Sequence, residues 1–205
     1  MNLAQPKTAF SFDAFLEWER TEQEKHEFLR GEVFAMTGVS TEHSICAGNL
    51  FAAMHAHLRG RACQLHMADM KVRTEVTDGC FYPDIMVTCD ARDRLDEARY
   101  VKRHPMLVIE VLSPSTEACD RGEKFSSYRS LTSLQEYVLV SPRLQTVEVF
   151  RRDTTGHWVL SPFAEAEGTF VFASIGFTGR FDSLFEGLET IEDSVGAAPA
   201  EGAGT

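Results

Sequence analysis

The sequence predicts an α+β or mixed α/β protein folded as a single domain. Three observations lead there. The 205 residues are enough to bury one sizeable core. Short apolar runs of strand length, among them Ile85-Met86-Val87 and Met106–Leu112, recur through the middle and the C-terminal half. Helical patterns with capping signals are confined to a few places between them, and no internal repeat is present.

Taken in order, Ser11 can cap a helix running to about Gln23, with Phe12, Phe15, Leu16 and Trp18 near helical spacing. His26–Met36 reads as a tight hairpin turning at Arg30-Gly31. Ser40 or Thr41 caps a second helix, about Thr41 to Leu58, with Ala47, Leu50, Met54 and Leu58 as its buried stripe. Strands are expected at about Cys63–Met67 and Met70–Glu75, and a turn at Thr77-Asp78-Gly79 leads into a strand opened by Pro83-Asp84. Residues 90–104 are charged and poor in apolar side chains, as a mobile surface loop would be. The Glu110 strand follows. A helix capped by Thr116 or Asp120 then runs to about Leu131. Glu136–Val140 and Thr146–Arg151 form a hairpin or meander, with Trp158–Leu160 and Phe170–Phe172 as further strands. Ser183 caps a last short helix over Leu184–Leu188. The domain is thus expected over residues 8–190, and the Ala, Gly and Glu tail at 191–205 reads as disordered.

Apolar content of 43% and charged content of 25% are ordinary for a globular chain. A net charge of −11 argues against a protein that coats nucleic acid, because phosphate binding needs local basic surface. It leaves room for an enzyme with a basic rim. Basic clusters occur at Lys71-Val72-Arg73, at Arg92 and Arg94, and from Arg99 to His104, although solvated loops balancing nearby acids account for any one of them. No run of about 18 or more apolar residues exists, so no membrane partner is expected. Met1–Lys7 lacks a signal-peptide pattern. The five cysteines are odd in number, scattered and without a Cys-x-x-Cys pair, so a reduced, cytoplasmic chain is expected.

The chemistry centres on Phe81–Tyr128. Asp84 opens one apolar run and Glu110 lies inside another, flanked by Val108, Ile109, Val111 and Leu112. A carboxylate within a core strand is costly unless paired or bound to metal. Singly, Asp84 could cap a strand and Glu110 could pair with an arginine. Together with Lys124, they read as a divalent-metal site: Mg²⁺ needs one or two protein carboxylates and keeps several waters. The Val111 carbonyl is a candidate third ligand. Lys124, four residues after Asp120, could orient water or stabilise developing charge, or simply pair with Asp120 on a helix surface. Tyr128, one turn on, suits either packing or the site. Glu27 and Glu32 flank the hairpin turn; either could add a carboxylate to the metal cluster, although a charged turn accounts for both more simply. Glu32, with His43 at the start of the second helix, is carried as a secondary candidate. His55 and His57 could bind a transition metal if they lay on a strand, but on a helix i and i+2 do not share a face. No glycine-rich phosphate loop or nucleophile elbow is present.

The strings Tyr82-Pro83-Asp84, Leu107–Thr116, Asp120-x-x-x-Lys124-x-x-x-Tyr128 and Glu136–Val140 resemble the Uma-two family of restriction-endonuclease-like proteins, within the PD-(D/E)XK superfamily. Glu27–Glu32 and His43 are similar to its N-terminal signature. The resemblance covers about residues 10–190. It implies a restriction-endonuclease-like core, a central mixed sheet flanked by helices, and an Mg²⁺-dependent nuclease centre. Asp84 then matches the motif aspartate and Glu110 the acid of the E-x-K element. The lysine position of that element is Leu112, so Lys124 would supply the amine, as is usual in this family.

The expected function is therefore an Mg²⁺-dependent phosphodiesterase, with Mn²⁺ as a substitute and DNA as substrate. Asp84, Glu110 and Val111 would hold the metal, Lys124 would act beside them, and Glu32 and His43 are secondary. A homodimer is expected, since enzymes cutting both strands often work as C2 pairs. The competing reading is a catalytically silent member of the same fold used as a binding or assembly module.

Overall fold

The computed structural model describes residues 10–188. The tail expected at 191–205, and the outermost residues of the expected domain at 8–9 and 189–190, lie outside the described residues. The elements in chain order are α1 (Phe12–Glu19), β1 (His26–Leu29), β2 (Glu32–Ala35), α2 (Thr41–Leu58), β3 (Gln64–Met67), β4 (Lys71–Thr74), β5 (Gly79–Phe81), β6 (Ile85–Thr88), β7 (Val101–Lys102), β8 (Leu107–Val111), α3 (Glu117–Cys119), α4 (Phe125–Tyr128), β9 (Glu136–Ser141), β10 (Thr146–Arg152), β11 (Trp158–Ala164), β12 (Thr169–Phe172), β13 (Phe177–Arg180) and α5 (Phe181–Leu184). A π turn over Asp120–Lys124 joins α3 to α4 without a break.

Two sheets carry the molecule. One has the order β11-β10-β9-β8-β6-β3 and is mixed, because β8 and β9 run parallel while its other pairs are antiparallel. The other has the order β2-β1-β5-β4-β7. The small β12–β13 hairpin stands apart and packs with α2 and α5.

Strand periodicity divides the core. On β8, Leu107, Ile109 and Val111 turn to the side of α2 and join Leu50, Met54, Phe170 and Phe181. Val108 and Leu112 turn the other way and join Leu29, Phe81, Met86, Tyr128 and Tyr137. Successive side chains on a strand point to opposite faces. Glu110, between Val111 and Ile109, therefore shares the second face.

Local signals explain the ends of the elements. Ser11 Oγ accepts the Ala14 amide and Ser40 Oγ accepts the His43 amide, so both expected N-caps form. The first helix stops at Glu19, short of Gln23, because Thr21 closes back on the Trp18 carbonyl through its amide and hydroxyl. Arg30 and Gly31 both adopt positive φ, 51° and 84°, which is the two-residue turn that matches strand twist in a hairpin.

Four expectations are corrected. Residues 90–104 are organised: two short helical turns and β7 wrap the buried Asp93, which accepts from the Thr88 hydroxyl and from the amides of Arg103 and His104. The last helix begins after Arg180 rather than Ser183. The helical run holding Lys124 starts at Glu117, after Thr116, and ends at Tyr128, short of Leu131. Cys63 and Cys89 form a disulfide, against the expectation of a fully reduced chain. The antiparallel register sets Gln64 opposite Thr88, so the next pair outward faces the two cysteines across 4.1 Å between Cα atoms. Among the described residues, no helix is long and apolar enough to cross a membrane.

Candidate active site

Where the helical run from Glu117 to Tyr128 crosses the second core face, four acids and a lysine meet. Glu27 shares a face with Leu29 on β1, Asp84 lies two residues before Met86, and Glu110 lies between Val108 and Leu112. By strand alternation all three turn to the same side. Asp120 and Lys124 reach down onto that side from the π turn, and both are buried. Together with His43 and Val111 these residues line a cleft of about 440 Å³, roofed by the segment from Phe34 to Ser40 and by Ser113–Thr116.

Each motif carboxylate is anchored through one oxygen. Asp84 Oδ2 accepts the Val111 amide at 2.7 Å and lies 3.0 Å from His43 Nε2. Glu110 Oε2 accepts the Asp84 amide at 3.3 Å. The other oxygen of Glu110, Oε1, is buried and accepts no hydrogen bond; Lys124 Nζ stands off at 3.7 Å. Among the described residues Asp84 Oδ1 also accepts none.

Lys124 Nζ lies 2.9 Å from Glu27 Oε1 and 3.3 Å from Asp120 Oδ1. Glu27 in turn accepts the Tyr82 amide, and the Tyr137 hydroxyl donates to the Asp120 carbonyl. Three carboxylates thus surround one ammonium.

The charges respond accordingly. Burial pushes the Glu110 carboxyl well above its ordinary 4.5, against the pull of Lys124 and with further push from Asp120, Asp84 and Glu27. Burial also raises Glu27, again opposed by Lys124. Burial by itself would lower Lys124, but Glu110, Glu27 and Asp120 outweigh it and hold the amine well above 10.5. Lys124 is therefore an ammonium at neutral pH.

The expected residues divide clearly. Asp84, Glu110, Val111, Lys124 and His43 come together. Glu32 does not: it pairs with Leu29 at the turn end of the hairpin, is exposed, and lies outside the cleft lining. Glu27, not carried among the site residues, lies in the cleft instead, beside Lys124. Its shared parity with Leu29 was the available signal. Asp120 was the other omission, and its i,i+4 relation to Lys124 was the clue. Leu112 is buried in the second core, as an apolar residue in the E-x-K lysine position must be. Tyr128 is fully buried against Phe81 and Tyr137, which is a packing role, although its hydroxyl has no hydrogen-bond partner. His55 stacks on Phe51 while His57 reaches the Ile175 carbonyl, so the two do not converge on a metal.

The Uma2 family profile, described as "Putative restriction endonuclease", matches residues 12–178. The chain belongs to the Uma2 family. Two proteins of Synechocystis sp., both described as uncharacterized, are similar to it: one is 36% identical over 183 residues, covering 89% of this chain and 95% of the relative. The second is 30% identical over 161 residues, covering 77% and 91%. A crystal structure from Anabaena variabilis, described as "a putative nuclease belonging to DUF820", superposes with a TM-score of 0.73 at 19% identity, covering 86% of this chain and 97% of that one. The fold of this Uma2 chain is thus the restriction-endonuclease-like one expected.

A divalent ion suits the Uma2 cleft. The donor atoms are hard oxygens, and the buried Glu110 Oε1 has no other acceptor role. Among the described residues, no three His, Cys, Asp or Glu side chains gather as a ready cage. Mg²⁺ would need only two protein carboxylates here, with water completing its shell.

Proposed function

We propose that this Uma2 protein is an Mg²⁺-dependent phosphodiesterase, specifically a DNA endonuclease of the PD-(D/E)XK type, with Mn²⁺ able to replace Mg²⁺. The observation that carries the reading is the meeting of Asp84, Glu110 and Lys124 in one cleft although they lie on three different elements. Asp84 and Glu110 would hold the ion through the oxygens left free, with the Val111 carbonyl as a third ligand. A divalent ion in this place supplies Lewis-acid polarisation of a phosphoryl oxygen.

The chain's own groups do the rest. His43 and the Val111 amide fix the Asp84 carboxylate in one orientation. Lys124, charged at neutral pH, cannot act as a base. It would donate to the attacking water and to the oxygens that gain charge as the phosphodiester is attacked. Glu27 and Asp120 hold that ammonium in position and keep it protonated. In cleaving both strands, two copies of the chain would act as a C2 pair, and light scattering at tens of micromolar tests the dimer.

The test is nicking of supercoiled plasmid in millimolar Mg²⁺ or Mn²⁺, compared with EDTA. Metal-dependent cleavage that is lost in Asp84→Ala supports the reading. Absence of cleavage with both metals, in protein shown to be folded, overturns it in favour of a silent binding module, the reading that the net charge of −11 favours.

A further inference from the structure

A second cleft, of about 380 Å³, lies beyond Tyr82 and is lined by Leu16, Arg20, Lys71, Glu97, Tyr100, Val101 and Arg103. Tyr82 connects the two clefts: it lines the first, and the Lys71 ammonium sits over its ring at 4.9 Å. Tyr100 is 58% exposed, with Arg20 at 5.7 Å and Arg99 at 5.6 Å from its ring centroid. An exposed aromatic ring with two guanidinium groups beside it is an unusual surface for a chain of net charge −11. Most such charges would be expected to find an acid. Arg103 does pair with Glu75. Among the described residues, Arg20, Lys71 and Arg99 have no carboxylate partner, and Glu97 is the acid in the lining.

Such a surface has one matching ligand chemistry. Cations spaced along a groove track phosphates, and an exposed aromatic ring stacks on an unpaired base once the flexible guanidinium beside it turns to a phosphate. A duplex would offer Tyr100 no base face. We infer that the second cleft binds a single-stranded stretch of nucleic acid, with the base of one nucleotide on Tyr100 and its flanking phosphates on Arg20, Lys71 and Arg99. This inference rests on the nuclease reading only for direction: the strand would run past Tyr82 toward Asp84 and Glu110. Substrates with a displaced or unpaired strand would then be preferred to intact duplex.

Fluorescence anisotropy tests it in EDTA, where no cleavage occurs. The probes are labelled twelve-nucleotide oligo-dT, oligo-U and a duplex of equal length. Wild type should bind oligo-dT at least about tenfold more tightly than duplex. Tyr100→Ala should weaken that binding by about tenfold or more, the order of a lost base stack, and Tyr100→Phe should keep it. Arg20→Ala with Lys71→Ala should flatten the salt dependence by about 0.7 per lost phosphate contact. Oligo-U bound equally well would place RNA in the same class; weaker binding would restrict the site to DNA. Duplex binding equal to oligo-dT, or no change in Tyr100→Ala, overturns the inference. Binding is read in EDTA and cleavage is not, so this site can fail while the nuclease reading stands, and the reverse.

Discussion

Glu110 and Glu136 are both buried carboxylates on adjacent parallel strands, yet they are treated in opposite ways. Glu136, with no exposed side-chain surface, is saturated: Arg151 Nε donates to it at 2.8 Å, as do the amides of Ala173 and Ser174 and the Ser174 hydroxyl. Glu110 has one amide donor on Oε2, an unmet Oε1, and three other acids close enough to raise its pKa. A fully bonded buried acid ties elements together; here it fastens the segment after β12 to the sheet. An under-bonded buried acid is costly to the folded state unless something else arrives to satisfy it. The difference separates an acid that serves stability from one that the proposed metal site would use.

The sharpest way to break this contrast is to remove each acid in turn. Asp84→Ala and Glu110→Gln should abolish metal-dependent cleavage in gel assays while leaving folded protein. Lys124→Ala should retain Mn²⁺ binding but lower the single-turnover rate by about 10²–10³. Lys124→Arg should rescue poorly, because a planar fork cannot take the place of a compact ammonium. Equal rates for wild type and Lys124→Ala would reduce Lys124 to an ion-pair partner.

Glu136→Ala should do the reverse. Losing the acceptor for two amides and a hydroxyl should cost about 2–4 kcal/mol in denaturant unfolding. Cleavage at matched folded fraction should be unchanged. A catalytic defect in that variant would mean the contrast is drawn in the wrong place.

Metal should sharpen the same comparison. Mn²⁺ at about 100 times its dissociation constant should stabilise wild type by about 2.7 kcal/mol. Thermal melts should show that gain for Glu136→Ala as well, from its lower starting point, but not for Asp84→Ala.

The smallest effect is the pH dependence of the metal-free protein. Glu110 and Glu27 have folded pKa values above the ordinary 4.5. The folded state therefore keeps protons that the unfolded state releases, and stability falls as pH rises from about 4.5 through the raised values. Unfolding curves of Glu110→Gln should lose part of that decline. An unchanged pH slope would show that the burial of Glu110 carries no charge penalty.

How much of this was legible in the sequence depended on the range of the signal. The Ser40 cap and the 3.6-residue stripe through Leu50, Met54 and Leu58 are local, and α2 falls on the expected residues. The apolar run around Glu110 is likewise local. β7 has two residues and no alternation to read, and β13 contains Gly179, whose place is set by the Phe170 ring packed where a Cβ would go. Both depend on partners distant in sequence. In the site, Asp84, Glu110 and Lys124 stand out because charge interrupts apolar pattern or resembles a family motif. Glu27 and Asp120 do not, since a charged turn and a surface ion pair explain them equally well until the sheet and the helix meet. The Cys63–Cys89 bridge follows from the register of β3 against β6, which no cysteine spacing encodes.

The π turn at Asp120–Lys124 amounts to one residue inserted into an otherwise regular helix. Its effect is a phase shift: each α-helical residue advances about 100° around the axis, so α3 and α4 are out of step by roughly that angle. Taking the insertion out, for instance by deleting Gly122, would let the run close as a continuous α-helix. The Phe125–Tyr128 face, held by Tyr137 and Phe81, could then stay seated only if everything before it rotated. Asp120 would swing from the cleft and Lys124 would lose one of its three counter-charges. In evolutionary terms the site is guarded by the length of this helix as much as by its residues, and a single-codon deletion in an exposed stretch would be as damaging as the loss of an acid.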